Sequence, residues 1–349
     1  MKQIFLAMLV TLFYYGCNSR DTGSETEVAI PVSVEDVKRK PIEEFISTTG
    51  SVYSSKEETI KSQISGYYNL QQNPNTGKPY ALGDYVKKGQ LIIKIEDAEF
   101  ENGIQIESQK LNLEISKNEF DKQSSLYDKG GVTLRELKNA ELTYINAKYS
   151  YDNALLQLAK MKIEAPFNGT IVELPYYTLG TKVDAQLVMA TFMDYSNLYM
   201  EVNLPEKDLG NIKKGQTARI TNYTLPDDTL QGKITQVSPA ISTETRTFKA
   251  SLNISNPKLK MRPGMFVRAD IIIARRDSAI VIPKDIILSK QRGKTIYIVE
   301  KSAAQERVIT TGLENPTEVE VLNGLKEGER YVTKGFETLS NRSKVKVIK

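Results

Sequence analysis

LKNAELTYINAKYSYDNALLQL, residues 137 to 158, is the stretch from which the rest of the chain can be read. Leu137, Tyr144, Tyr151 and Leu158 recur every seven residues, and Ala140, Ala147 and Ala154 follow the first three at a distance of three, the a/d seam of a coiled coil. Upstream, Ile106, Leu113, Phe120 and Tyr127 keep the same step, but the positions three and four further on are mostly Lys, Gln and Ser. So narrow a seam predicts two paired helices rather than a larger bundle. Asp128-Lys129-Gly130-Gly131 stops the first helix, and Thr133 with Glu136 three residues later offers a capping box for the second. Residues 97–160 therefore read as a helical hairpin whose arms have about 30 residues each, or roughly 45 Å at 1.5 Å per residue.

A repeated motif brackets the hairpin. Before it stands Leu82-Gly83-x-x-Val86-x-x-Gly89-x-x-Ile92-x-x-Ile95-x-Asp97, and after it Leu179-Gly180-x-x-Val183-x-x-Gln186-x-x-Met189-x-x-Phe192-x-Asp194. The copies align without a gap. Each follows a glycine turn, at Gly66 and at Gly169, and the first copy carries six more residues between turn and motif, in the Pro/Asn/Gly-rich run from Asn73 to Pro79. Two short β halves with glycines at the turns resemble the lipoyl/biotinyl-carrier sandwich, here with a hairpin inserted between the halves.

Composition and targeting exclude several alternatives. The chain has 349 residues, 40% hydrophobic and 26% charged, which suits several soluble modules. A net charge of +4, no Trp and no interleaving of aromatic with basic residues argue against a nucleic-acid surface. No histidine is present, so Ser-His-Asp and Cys-His catalysis and histidine metal sites fall together, and no Walker-type glycine loop supplies a nucleotide site. The apolar run from Ile4 to Tyr15 has 12 residues, short of the ~20 that span a bilayer, and reads as an export signal. Its end, Tyr14-Tyr15-Gly16-Cys17, resembles a lipoprotein cleavage site with two bulky tyrosines, so Cys17, the only cysteine, is the expected lipid anchor. Asn18 to Val28 is polar and aperiodic, a tether.

Val28 to Val37 and Phe45 to Val52 read as short strands, and Asn197 to Ala274 turns to period-two alternation, as in Phe248, Ala250, Leu252 and Ile254, with turn signals at Asp227-Asp228 and Asn256-Pro257. Arg246, between two threonines of an expected strand, reads as a structural ion-pair residue. Further short strands are expected at Val281-Ile282-Pro283, Ile296 to Val299, Val308 to Thr310, Val319 to Val321 and Val345 to Val347.

The split carrier motif, the return run Ile163-Glu164-Ala165-Pro166-Phe167-Asn168-Gly169, and the barrel segments Leu204-Pro205-Glu206-Lys207-Asp208-Leu209, Thr245-Arg246-Thr247-Phe248 and Arg262-Pro263-Gly264-Met265-Phe266 resemble the membrane fusion proteins, the periplasmic adaptors of tripartite efflux pumps. The resemblance covers almost all of the mature chain. It implies a mainly β, elongated, multi-domain fold with an inserted α-helical coiled-coil hairpin: signal peptide and lipobox at 1–17, tether at 18–27, membrane-proximal β domain from 28–58 and 278–349, lipoyl-like domain from 59–96 and 161–196, hairpin at 97–160 and β-barrel at 197–277.

It further implies a non-enzymatic protein without cofactor or metal. Such a protein sits in the periplasm of a Gram-negative bacterium, held to the inner membrane by its N-terminal lipid. Its expected partners are a resistance-nodulation-division (RND) transporter in the inner membrane, an outer-membrane channel and further copies of itself in a ring, a hexamer by resemblance. The cargo expected from the lack of histidine and of a Met cluster is organic and amphiphilic. The family pattern at the hairpin tip, a basic residue, Leu four on and a hydroxyl residue seven after that, falls on Lys122, Leu126 and Thr133, with Lys for the usual Arg and Thr for Ser. An ATP-driven exporter is the alternative partner. A biotin or lipoyl carrier modified at Lys160 or Lys162 is the alternative of another class, disfavoured because both lysines sit at the hairpin's foot.

Overall fold

The computed structural model describes residues 29–348, in two compact units, residues 29–45 with 273–348 and residues 46–272. Both are β-rich, and the hairpin belongs to the second. The unit boundaries fall inside two long strands, β2 (Arg39–Lys61) and β13 (Phe266–Pro283). The 23 residues of β2 correct the expectation of a short strand from Phe45 to Val52: Pro41 lies near the strand's start, where a missing N–H is tolerated, and nothing further along interrupts the extended run.

The carrier sandwich forms from β3 (Gly66–Leu70), β4 (Tyr85–Val86), β5 (Leu91–Glu96), β6 (Lys162–Glu164), β7 (Gly169–Glu173), β8 (Lys182–Val183) and the first part of β9 (Val188–Pro205), with the end of β2. Its core is the repeat: Val86 and Val183, Ile92 and Met189, and Ile95 and Phe192 are all buried at equivalent positions. The halves exchange strands. The short β4 of the first pairs with β7 of the second, and β8 of the second pairs with β3 of the first. Gly83 and Gly180 take φ of 90° and 78°, and Gly89 takes 79°. Its counterpart Gln186 adopts 71°, so the repeat imposes a left-handed conformation on a residue that disfavours it. Gly66 and Gly169 are required for another reason. A Cβ at Gly66 would stand 3.0 Å from the carbonyl oxygen of Glu96, and one at Gly169 2.6 Å from that of Met193, its equivalent.

Three helices form the insertion, α1 (Ala98–Ile104), α2 (Ile106–Asp128) and α3 (Leu134–Ala159). Asp97 caps α1, accepting the Phe100 N–H at 3.0 Å. The expected first arm of about 30 residues is thus broken at Gln105, which is left-handed at φ 51°, directly after Asn102-Gly103-Ile104. Asn and Gly near a helix end favour termination, and the heptad of this arm begins only at Ile106, after the break. The seam is as read on α3 and, on α2, from Ile106 through Phe120, while Tyr127 at the end of that step is exposed. Leu137, Ala140, Tyr144, Ala147, Tyr151, Ala154 and Leu158 are all withdrawn from solvent, as in part are Glu141 and Gln157, and Phe120 stacks on Tyr144 at 5.8 Å between ring centroids.

A closed barrel follows. In order, β2, β9, β12 (Thr247–Ser255), β11 (Leu225–Ser242), β10 (Thr217–Asn222) and β13 are each paired with the next, and β13 returns to β2, where Gly264 N–H donates to the Val52 carbonyl at 2.8 Å. Phe248, Ala250, Leu252 and Ile254 alternate inward as expected. The turn expected at Asp227-Asp228 lies instead at Tyr223-Thr224, because buried Asn222 accepts the Thr224 N–H at 2.8 Å and donates to the Phe266 carbonyl at 2.7 Å, fixing an Asx turn earlier. Asn256 does the corresponding work at its own turn, donating to the Tyr195 and Met261 carbonyls. Arg246 lies in the β11–β12 turn at φ 53°, not in a strand; it is exposed and stands 3.7 Å from Glu206.

In the other unit β1 (Ile30–Asp36) pairs antiparallel with β19 (Arg330–Lys334) and parallel with β20 (Val345–Val347), while β14 (Leu288–Lys290), β15 (Gly293–Glu300) and β16 (Ala303–Val308) extend the sheet, and β17 (Thr310–Glu314) and β18 (Glu318–Asn323) pair beside the end of β13. The buried Glu320 carboxylate accepts from Arg276 at 2.9 Å and from the Leu313 N–H at 3.0 Å.

Gly169→Ala is expected to destabilise the carrier sandwich by about 1–3 kcal/mol, since backbone must move to admit the methyl. Gly103→Ala, in helix with no atom within 4 Å, should be neutral or stabilise by up to ~1 kcal/mol. Urea titration of both variants checks the contrast, and equal effects contradict it.

Candidate functional site

The free end of the hairpin holds the three residues picked out by the sequence, and local chemistry shapes that end. Helix α2 closes in a Schellman motif: Gly131 N–H donates to the Leu126 carbonyl at 2.8 Å and Gly130 N–H to the Tyr127 carbonyl at 2.9 Å, with Gly130 at φ 72°. Helix α3 opens on Thr133. The Thr133 hydroxyl accepts the Glu136 N–H at 3.3 Å and donates to Glu136 Oε2 at 2.8 Å, and the Thr133 N–H reaches the same carboxylate at 2.7 Å. The capping box is complete.

Lys122 and Leu126 are one helical turn apart on α2. Lys122 is exposed, with Nζ 3.6 Å from Glu119, a pairing too solvated to contribute much. Glu119 also accepts from Gln123 Nε2 at 2.7 Å, and that bond first, then the Lys122 charge, holds its carboxyl below the usual range. Leu126 is half-buried against the turn: a Cβ at Gly131 would lie 3.7 Å from its Cδ2. Lys122, Leu126 and Thr133 thus share one end of the arm, and Thr133 is committed to the cap. Tyr127, expected in the seam of the first helix, is instead exposed at the end of the arm, and Leu134 was not singled out by the sequence. Tyr127 and Leu134 flank the turn as exposed apolar side chains, and Leu134, just after the cap and before the seam begins at Leu137, had no internal role to hide it. The Gln123 Oε1 is buried without a hydrogen-bond partner.

Cys17 lies outside the described residues. Lys160 stands at the foot as the C-cap of α3, donating to Gln157 at 2.9 Å, and Lys162 is in β6; the helix runs directly into the sandwich where a carrier protein needs a tight modifiable tip. No helix among the described residues is long and apolar enough to cross a membrane.

Residues 197–274 match the family model described as the CusB-like β-barrel domain, and residues 278–338 the one described as the C-terminal permuted SH3 domain of RND MFPs. The cobalt-zinc-cadmium resistance protein CzcB of Cupriavidus metallidurans is 22% identical over 336 residues, which is 88% of this chain and 64% of CzcB, so the chain spans less than two thirds of that relative. The multidrug resistance protein MdtA of Xenorhabdus bovienii is 24% identical over 342 residues, covering 91% of this chain and 80% of its own. Among solved structures, a MacA-MexA chimeric protein containing the Pseudomonas aeruginosa MexA α-hairpin domain superposes with a TM-score of 0.54 at 28% identity, over 86% of this chain and all of that one.

Because Thr133 donates two hydrogen bonds to it, first from its backbone and then from its hydroxyl, the Glu136 carboxyl titrates below the ordinary value. The contribution of the cap is therefore present above the ordinary glutamate pKa of about 4.3 and fades as the pH falls through the lower folded value. The protection of the first α3 amides, measured as exchange relative to the unfolded chain at the same pH, should fall over that acid range in the natural chain. Thr133→Ala should raise exchange at neutral pH, costing about 1 kcal/mol, and abolish the acid step; an unchanged acid step would remove Glu136 as its source.

Proposed function

The chain belongs to the membrane fusion proteins, the family of periplasmic adaptors of RND-type pumps, and on that basis we propose that it links an inner-membrane RND transporter to an outer-membrane channel. The observation that carries the reading is the strand-exchanged sandwich interrupted by a two-helix arm with a finished, partly apolar end. An arm of 23 and 26 residues, about 35–39 Å long, ends far from the domain that holds it, and among the described residues nothing covers Tyr127, Leu134 or the open side of Leu126. Its mechanism is geometric: Cys17 and its lipid hold one end at the inner membrane, the copies associate in a ring, and the arm meets the channel. We read the protein as non-enzymatic, with transport energy coming from the transporter.

At the tip, Leu126 is the main contact. A helical end of the channel that completes its burial gains up to roughly 1.5–3 kcal/mol. Lys122 lacks the bidentate fork of Arg and is the weaker contact, and Thr133 contributes the lone pair left over from its cap. Leu126→Asp is expected to abolish efflux in a complemented deletion strain and to remove channel cross-links, while the protein stays abundant and bound to its transporter; Lys122→Ala should be milder. Full resistance with normal channel cross-links in the Leu126→Asp strain overturns the docking role.

The relatives' names include both metal resistance and multidrug resistance. A chain without histidine and without a Met cluster in its mature N-terminal segment offers poor ligands for soft or borderline metals, which favours organic, amphiphilic cargo. A deletion strain should become sensitive to detergents, dyes or antibiotics. Sensitivity confined to metal salts would reverse this reading.

A further inference from the structure

A basic face surrounds the point where the chain enters its first strand. The Ile30 N–H at the start of β1 donates to the Lys344 carbonyl at 2.9 Å, and the Val345 N–H donates to the Ser302 carbonyl at 2.9 Å. From there β20 runs parallel to β1. Asn341 to Ile348 carries Arg342, Lys344 and Lys346 and no carboxylate. Val345 is buried between two of them, so Lys344 and Lys346 leave the chain on its outward side, and Lys301 stands in the adjoining turn from β15 to β16. All four cations are exposed.

A cleft of about 660 Å³ opens at the start of the same stretch, with Lys290, Arg292, Glu306 and Asn341 among its walls. Its charges are sorted. Glu306 accepts from Lys290 Nζ at 2.9 Å, and the same Nζ donates to the Tyr297 hydroxyl at 3.2 Å and lies 5.2 Å from the centre of that ring. The only carboxylate lining the cleft is thus committed to Lys290. Asn341 Oδ1 accepts the Glu306 N–H at 3.1 Å, which leaves the Asn341 amide NH2 to donate elsewhere. Arg292, Lys301, Arg342 and Lys346 are in no ion pair among the described residues. An arginine with its fork open beside an amide donor suits a phosphate, and a run of cations leading away from it suits an array of phosphates.

The place of this face in the chain says which array can reach it. Residues 18–29 separate Cys17 from Ile30, and a chain of that length spans at most about 45 Å. A membrane that holds a lipid on Cys17 therefore stays within that distance of the strand bonded to Lys344. Tethering of this kind raises the effective concentration of one surface over all others. Attraction between the cations and anionic headgroups then acts over the last ~8 Å at physiological salt.

We propose that this face binds the anionic phospholipid surface of the anchoring membrane. A headgroup phosphate seats in the cleft between Arg292 and Asn341, and Lys301, Arg342, Lys344 and Lys346 lie over neighbouring headgroups. Glu35 and Asp36, which line a separate groove with Val347 and Ile348, mark where the basic face ends. A lipid on a tether limits distance and leaves the side presented to the bilayer unset. A second contact on the folded unit sets it. The inference rests on the lipid-anchored reading of Cys17 and gives the bilayer a further contact on the protein itself.

The test uses the chain from Asn18 to Lys349, which keeps every described residue and lacks the signal and the anchor cysteine, so that any membrane binding comes from the protein surface. It should sediment at low salt with vesicles of equal parts phosphatidylcholine and phosphatidylglycerol, remain free with phosphatidylcholine alone, and be released as sodium chloride is raised. Lys301→Gln, Arg342→Gln and Lys346→Gln together should weaken binding about a hundredfold, at roughly fivefold per charge, and Arg292→Gln alone about fivefold. Lys110→Gln, Lys117→Gln and Lys148→Gln on the hairpin remove the same charge and should leave binding within about twofold. An equal loss in the hairpin variant overturns the proposal, because net charge and not this face would then be responsible. Release by inorganic phosphate far beyond that by chloride at equal ionic strength overturns it as well, and assigns the cleft to the free anion. Binding only to native membranes, and not to protein-free vesicles, assigns the face to an acidic protein and has the same consequence. Failure to bind the mixed vesicles at low salt defeats the lipid contact and leaves the adaptor reading standing, which fatty-acid labelling of Cys17 and complementation of efflux test separately.

Discussion

Exchange of short strands between the two halves of the carrier sandwich is the constraint on which the rest depends. The chain leaves the first half at Asp97 and returns at Lys162, and a domain cut open at that point would come apart if each half closed on itself. It does not, because β4 is hydrogen-bonded to β7 and β8 to β3, so each half supplies an edge the other needs. Within each half the strands also approach closely enough that only glycine fits, at Gly66 of β3 against Glu96 of β5 and at Gly169 of β7 against Met193 of β9. Both ends of the hairpin are thereby tied to adjacent strands, β5 and β6, which pair directly.

What the sequence made legible follows from how local each signal is. Heptads, the double glycine after Asp128, the Thr133–Glu136 box and the equivalent core positions of the repeat are set within a few residues, and each appears where it was expected. The misreadings have a common cause. The long strand β2 is extended because β9 and β13 both pair with it, partners well over a hundred residues away. The barrel turn fell at Tyr223 rather than Asp227 because Asn222 finds the Phe266 carbonyl, a contact across the sheet. Gln186 is left-handed because it repeats Gly89, and its own residue type speaks against that conformation. Gln105 is the exception, a local stop written in Asn102-Gly103 that lies ahead of the heptad starting at Ile106 and breaks an arm expected to be continuous from Asp97. At the tip, the cap was legible and the exposed Leu134 and Tyr127 were not, since an apolar side chain near a seam is read as part of it until its exposure is known.

The arm's stiffness and its internal stability have different sources. Two of the seam positions on α2, Ser116 and Gln123, are polar, facing an α3 seam built around alanines, and the Gln123 Oε1 has no partner. Small and polar layers bring the helices close without burying much apolar surface, so the pair Phe120 and Tyr144 supplies most of the large contact in the outer part. Backbone hydrogen bonds keep each helix straight, and the capped turn and the carrier strands hold its two ends. A hairpin of this kind keeps its length and direction while gaining little from its own seam.

That division explains where apolar surface is placed. If burial within the hairpin were the only demand, Leu142, Tyr149 and Leu156 would be better used in place of alanines at the seam, where each would remove apolar area from water. They stand instead on the edge, where the isolated chain gains nothing from them. The same holds at the tip for Leu134, the first helical residue after the cap. A fold that leaves its seam thin and its edges and end apolar acquires the missing burial only when other helices lie against it. Any helix that lies against these edges or this end therefore stabilises the arm as well as forming the contact, because the hairpin's own seam leaves that apolar area in water.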